Sequence, residues 1–159
     1  MKFNDDYMTC SPLILLAEDD DRNILRFKTA LNDSGIRHTL RVVTDSLQLV
    51  ELISNLKPID PDIVFINIGM SSQKGLETLS RLRFIYAETL PIFDLSVLQN
   101  PNAAENVRRL GATGFLTKPD CISKLSNLLT DILSKDWKNR CLSDFYMHIE
   151  YDPASIGKL

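Results

Sequence analysis

The segment Leu13–Asp21 reads LILLAEDDD, five apolar residues that run without interruption into four acids. An apolar run of this length with no period of two has the pattern of a parallel strand buried on both faces. The abrupt change to Glu18, Asp19, Asp20 and Asp21 marks the carboxyl end of that strand. The run is too short for a signal-peptide core or a membrane span. Ile63–Ile66, Pro91–Leu95 and Gly114–Leu116 repeat the pattern, so all four are expected in the sheet interior. His38–Val43, HTLRVV, mixes polar and apolar residues and reads as an edge strand, second in chain order.

Between these runs the spacing becomes helical. Leu49, Leu52, Ile53 and Leu56 fall at i, i+3, i+4 and i+7, as do Leu125, Leu128, Leu129 and Ile132. Shorter stripes follow from Ile24, Phe27, Lys28 and Leu31, from Leu76 and Leu79, and from Ala103, Val107 and Leu110. Gly35 and Gly111 stand where helix stops are needed. Strands alternating with helices predict an α/β fold, a doubly wound parallel sheet of five strands with five flanking helices. With right-handed crossovers, the order 2-1-3-4-5 is one of two common solutions.

The chain has 159 residues, enough for one domain and its core. We divide it into an N-terminal tail (1–11), a domain (12–135) and a C-terminal extension (136–159). Eighteen basic and twenty-one acidic residues give a net charge of −3, which offers no footprint for nucleic acid. Cys10, Cys121 and Cys141 form no CxxC pair, and His38 and His148 lie far apart, so disulfide frameworks and zinc sites are not expected. Cys121, near the start of the last helix, reads as an inert side chain. The cytoplasm is the expected compartment, with no membrane partner.

In a doubly wound sheet, ligands sit at the strand carboxyl ends where the order reverses, between the first and third strands. Those strands end at Glu18 and Asn67. Four consecutive acids there repel phosphate, which argues against flavin and dinucleotide binding, and neither GxGxxG nor GxxxxGK[ST] occurs. Such a cluster of oxygens suits a hard cation such as Mg²⁺. Taken alone, the acidic run also suits a solvated helix start, where acids favour the macrodipole. Asp94 interrupts the fourth strand; by alternation it shares a face with Ser96, either extending the acidic corner or hydrogen-bonded near the sheet edge.

Four segments, LILLAEDD (13–20), PDIVFINIGMSSQKGLETL (61–79), PIFDLS (91–96) and GATGFLTKP (111–119), resemble the receiver domain of bacterial two-component response regulators. The resemblance covers about Pro12 to Lys135. With SKDWKN after the last helix, it is nearest the small stand-alone, chemotaxis-type receivers. It implies a flavodoxin-like fold and a metal-binding acidic pair, Glu18 and Asp19, with Asp20 as the alternative member. It implies that Ser96 contacts a phosphoryl oxygen and acts in switching, and that Lys118 pairs with the acidic site, followed by Pro119 through a cis peptide. Phe115 matches the aromatic switch that relays the state of the site to the face of helix four, strand five and helix five. Through that face the resemblance implies docking to a sensor histidine kinase or a downstream target.

Position 67, the family's phosphoacceptor aspartate, is Asn67 here, and Gly69 and Ser71 also depart from the usual pattern. An amide is a poor nucleophile and forms no comparable acyl phosphate. With one carboxylate fewer, Mg²⁺ is expected to be held weakly or not at all by Glu18, Asp19 and Asn67. The expected function is that of a non-enzymatic pseudo-receiver in phosphorelay signalling that works through protein contacts, with Lys118 paired directly to Glu18 or Asp19. The alternatives are an ordinary receiver whose working form carries Asp at 67, and a metal-dependent phosphohydrolase using Asp19. In the extension, Leu142, Phe145, Tyr146 and Ile149 fall at helical spacing. They form either a flap on the domain or a stripe that docks a partner or a second copy.

Overall fold

The computed structural model describes residues 11–55, 60–71, 74–96, 102–137 and 147–149. Its elements alternate: β1 (Leu13–Ala17), α1 (Asp21–Asp33), β2 (Thr39–Val43), α2 (Ser46–Ser54), β3 (Ile63–Ile66), a 3-10 turn (Ile68–Ser71), α3 (Lys74–Tyr86), β4 (Ile92–Ser96), α4 (Ala103–Arg109), β5 (Gly114–Thr117), α5 (Ile122–Leu133) and β6 (Met147–Ile149). The strands pair in parallel in the order β2-β1-β3-β4-β5-β6. Strands one to five follow the doubly wound order 2-1-3-4-5 with five helices, as the alternating pattern predicts, and β2 is an edge strand.

The sheet carries a hydrophobic core on each face. One core packs Ile14, Leu16, Phe65 and Phe93 against Phe27 and Leu31 of α1 and against Leu125, Leu128, Leu129 and Ile132 of α5. The other packs Leu15, Ala17, Val64, Ile66, Ile92 and Phe115 against Leu49, Ile53, Leu79, Leu82 and Val107 from the remaining helices. This two-sided burial is why the central strands show no alternation. The stripe of α1 differs in one position from the sequence expectation. Ala30, not Lys28, completes it, because a long ammonium side chain reaches water more cheaply than it enters a core. Leu56, expected on the α2 stripe, lies outside the described residues. Gly35 and Gly111 end α1 and α4 with φ of 68° and 89°, a region glycine enters without strain.

The structure departs from the five-strand expectation at the chain's end. Met147–Ile149 adds a sixth strand parallel to β5, pairing Gly114 with Met147, Phe115 with His148 and Leu116 with Ile149. Ile149 therefore belongs to a strand, not a helical stripe; Leu142, Phe145 and Tyr146 lie outside the described residues. The apolar positions of the extension fit a 3.6 period by spacing alone, which for so short a run does not separate helix from strand. Trp137, at the head of the extension, is buried. Its ring meets Phe93 edge-on at 5.3 Å, ending a row of rings that runs Phe27, Phe65, Phe93, and its indole N–H donates to the Ile132 carbonyl at 2.8 Å.

Candidate functional site

Strand register places the site. The β1–β3 ladder ends at Ala17 and Ile66, and the β4–β5 ladder ends at Ser96 and Thr117. Glu18, Asn67 and Lys118 each stand one residue beyond these pairs, where a chain leaves the sheet and its side chain can turn over the top. Backbone bonds hold all three at that level: Glu18 N–H to Val43 C=O (3.0 Å), Asn67 N–H to Ala17 C=O (2.9 Å) and Lys118 N–H to Ser96 C=O (3.1 Å).

Glu18 is the centre of this corner. Its side chain folds inward, and the residue is only 2% exposed. Oε1 accepts from the backbone N–H groups of Asp19 (3.1 Å) and Asp20 (3.2 Å) and from Asn67 Nδ2 (3.1 Å). Oε2 accepts from the Lys118 ammonium and from Asn67 Nδ2 at 3.3 Å. Burial alone would raise this carboxyl. The Lys118 hydrogen bond and charge, the Asn67 amide and the Asp20 N–H outweigh it and hold Glu18 below its ordinary value.

Asn67 uses both ends of its amide. The NH₂ faces Glu18, while Oδ1 accepts from Gly69 N–H (3.1 Å) and lies 3.3 Å from Ser96 Oγ. Ser96 Oγ also bonds Asp94 Oδ1, and Ile68 N–H donates to the same oxygen at 3.2 Å. Asp94 is 1% exposed, and burial pushes its carboxyl up to about 6, against the pull of Ser96, Ile68 and Lys118. A serine has one proton to give. With Asp94 protonated, its O–H can donate to Ser96 Oγ and release the serine proton to Asn67 Oδ1, which satisfies every group in the row.

The four acids of the LILLAEDDD segment part company. Glu18 turns in. Asp19 stays exposed on the rim, its carboxyl raised by partial desolvation and then by neighbouring Glu18. Asp20 caps α1, accepting from Arg22 N–H at 2.8 Å, and Asp21 begins the helix. Opposite, Arg26 of α1 donates to the Pro119 carbonyl at 2.6 Å and ties the Lys118 loop to the first helix. No described peptide bond is cis, so Lys118–Pro119 is trans, the isomer an X–Pro bond favours without a constraint. Phe115, 1% exposed, is packed inside the second core on the face that also carries Asp94. Cys121 is exposed, and its hydrogen bond to Ser123 lowers its thiol.

The structure thus gathers Glu18, Asn67, Ser96 and Lys118 in one corner, with Asp19 at its rim. Sequence reasoning noted Asp94 but left its role open. It lies in an interior strand, not near the sheet edge, and its signal was a carboxylate two residues before the serine in an otherwise apolar strand. Among the described residues, no three His, Cys, Asp or Glu side chains gather as a metal site. The donors fit a hard dication poorly. Five hydrogen bonds already engage the oxygens of Glu18, and Asn67 turns its NH₂, not its oxygen, toward that carboxylate.

Comparison with known proteins places this geometry. The profile of the response regulator receiver domain matches residues 14–140, and the chain belongs to that family. It is 28% identical over 75% of its length to the sensory/regulatory protein RpfC of Xanthomonas campestris pv. campestris, of which it spans 16%. It is 26% identical to the chemotaxis protein CheY of Halobacterium salinarum, covering 76% of this chain and 96% of that one. The Mn²⁺-bound form of the response regulator Rcp1 superposes with a TM-score of 0.67 at 20% identity, covering 80% of this chain and 95% of that one. The chain is a receiver domain of two-component signalling, and among the described residues no helix is long and apolar enough to cross a membrane.

Proposed function

We propose that this receiver is a pseudo-receiver of the cytoplasm that signals through protein contact without carrying phosphate at position 67. The Asn67 amide carries the reading: it donates to both oxygens of Glu18 and accepts at its own oxygen. An aspartate there offers acceptors only and would set a like charge against Glu18. The corner is therefore supported as one built around a neutral side chain. Asp94 offers no substitute phosphoacceptor, since it is buried beneath Ser96. Mg²⁺ binding is weak, with Asp19 as the exposed carboxylate left for it. The partner is a sensor kinase or a downstream target, met on the side of α4, β5 and α5. The phosphohydrolase reading loses support, because among the described residues no histidine stands at the corner to serve Asp19 as a base.

The test is phosphorylation with acetyl phosphate and Mg²⁺. The wild-type chain is expected to yield no hydroxylamine-sensitive phosphoprotein, and Asn67→Asp to yield one. Labelling of the wild type would overturn the reading. The retained Ser96 and Lys118 favour one second reading, an ordinary receiver with Asp at 67 in its working form, and the genomic codon for that position decides it.

A further inference from the structure

The sheet ends at β2 on one side, and among the described residues no strand pairs with its outer edge, whereas β5 on the other side is covered by β6. An edge strand presents a row of backbone N–H and C=O groups to any extended chain. Beside this edge runs an open groove of about 400 Å³, lined by Lys28 and Asn32 of α1 and by His38, Leu40, Arg41 and Val42. Leu40 and Val42 are half-buried against the α1–α5 core and give the groove an apolar floor.

The groove carries one sign of charge. From Lys28 to Arg41 the chain sets three cations and a histidine, Lys28, Arg37, Arg41 and His38, against one acid, Asp33, although its net charge is −3. No acid lines the groove, and among the described residues neither Lys28 nor Arg41 is in an ion pair. Both are exposed. The His38 ring is held by Nδ1, which lies 2.7 Å from the Ile36 carbonyl. Charges on an edge guard it against pairing with its like. Two β2 edges laid antiparallel about their middle residue would set Arg41 against Arg41, so the side chain that disfavours a second copy favours an acidic strand.

We propose that this groove docks an extended acidic segment of a partner protein, which adds to the sheet as a strand beside β2. Three observations specify that occupant. The open edge calls for extended backbone, the floor of Leu40 and Val42 calls for apolar side chains on one face of it, and Lys28 and Arg41 call for carboxylates. The site lies across the sheet from α4, β5 and α5. It is independent of that docking face and of phosphate chemistry, so failure in the phosphorylation assay leaves it standing, and the reverse holds too.

The probe is a pair of peptides, EVEIEVE and KVKIKVK, added at low salt to the isotope-labelled full chain and followed by NMR. The acidic peptide is expected to shift the amides of Thr39–Val43 and to slow hydrogen exchange at alternate residues there, those whose N–H points away from β1. The basic peptide is expected to do neither. Lys28→Glu/Arg41→Glu should weaken the acidic peptide at least about tenfold, as should a rise in ionic strength from about 0.02 M to about 0.5 M. If the double variant does not fold, the salt series on the wild type decides. No shift at Thr39–Val43 with the acidic peptide, equal shifts with both peptides, or binding unchanged by charge reversal or salt overturns the proposal. Shifts without alternate-residue protection, or the same shifts with inorganic tripolyphosphate, would make the groove an anion site and overturn a strand as its occupant. A wild-type dimer that the acidic peptide dissociates would assign the edge to a second copy and overturn a partner segment.

Discussion

Glu18 and Asp94 are carboxyl groups of one corner, 2% and 1% exposed, and the structure treats them in opposite ways. Glu18, on the α1–α5 side of β1, meets an ammonium, an amide and two backbone N–H groups, and is held below its ordinary value. Asp94, on the opposite face of β4, meets one hydroxyl and one backbone N–H, with Lys118 acting only from a distance, and is pushed up to about 6. Burial raises both. What separates them is a directly bonded cation on one side only. The corner therefore holds one carboxylate firmly as an ion and pushes the other toward its neutral form.

The largest test of this contrast removes the cation. Lys118→Met leaves Glu18 buried with neutral donors alone, as Asp94 is. Breaking a buried pair from one side costs about 3–5 kcal/mol, a loss that urea unfolding at pH 7 would read as a lower midpoint. The double variant Glu18→Gln/Lys118→Met should recover most of it. Equal stability of Lys118→Met and wild type would mean that the amide and backbone donors alone hold Glu18.

The second test uses pH, and the two groups predict opposite signs. For Asp94 the folded value lies above the unfolded one, so the folded state keeps the proton longer. Its contribution falls as pH rises from about 4 to about 6, by about 3 kcal/mol in all. Glu18 has the lower value in the folded state, so its contribution is present above about 4.5 and is lost as pH falls below that. Asp94→Asn should remove the first slope and leave the second: the variant gains on the wild type above pH 6 and loses the gain near pH 4. Thermal melts of both proteins across pH 4–8 check this, and parallel curves would refute the assignment of Asp94.

How much of this was legible differs between the same two sides. The meeting of Glu18 and Asn67 was readable, because each ends an apolar run and parallel register brings strand ends to one level, whereas Ser96 and Lys118 joined them only through the resemblance to the receiver family. The inward turn of Glu18 was not, since nothing in EDDD separates the first acid from the next three until the fold presents Lys118 to one of them. Asp94 was visible as a break in an apolar strand, yet burial with neutral donors is a property of the packed sheet. β6 was hidden for a different reason: three extended residues within a run whose apolar spacing also suits a helix leave no local trace of the edge they join.

The smallest expected effect isolates Glu18 from its acidic neighbours. If the state of that carboxyl is set by Lys118, Asn67 and backbone N–H groups, then the charge of Asp20 is immaterial to it, although Asp20 is only two residues away. Asp20→Asn keeps an oxygen to cap Arg22 N–H and leaves the Asp20 backbone N–H bonded to Glu18, while it removes one negative charge from the exposed start of α1. Asp20 is itself held below its ordinary value by Arg22, so its own share of the acid limb is absent from both Asp20→Asn and Glu18→Gln/Asp20→Asn. The limb that Glu18 adds, read as the difference between these two variants, should match the difference between the wild type and Glu18→Gln. A limb shifted toward lower pH would show that the acidic run acts on Glu18 as a field, and the corner would then be held by charge balance across four residues instead of by one internal ion pair.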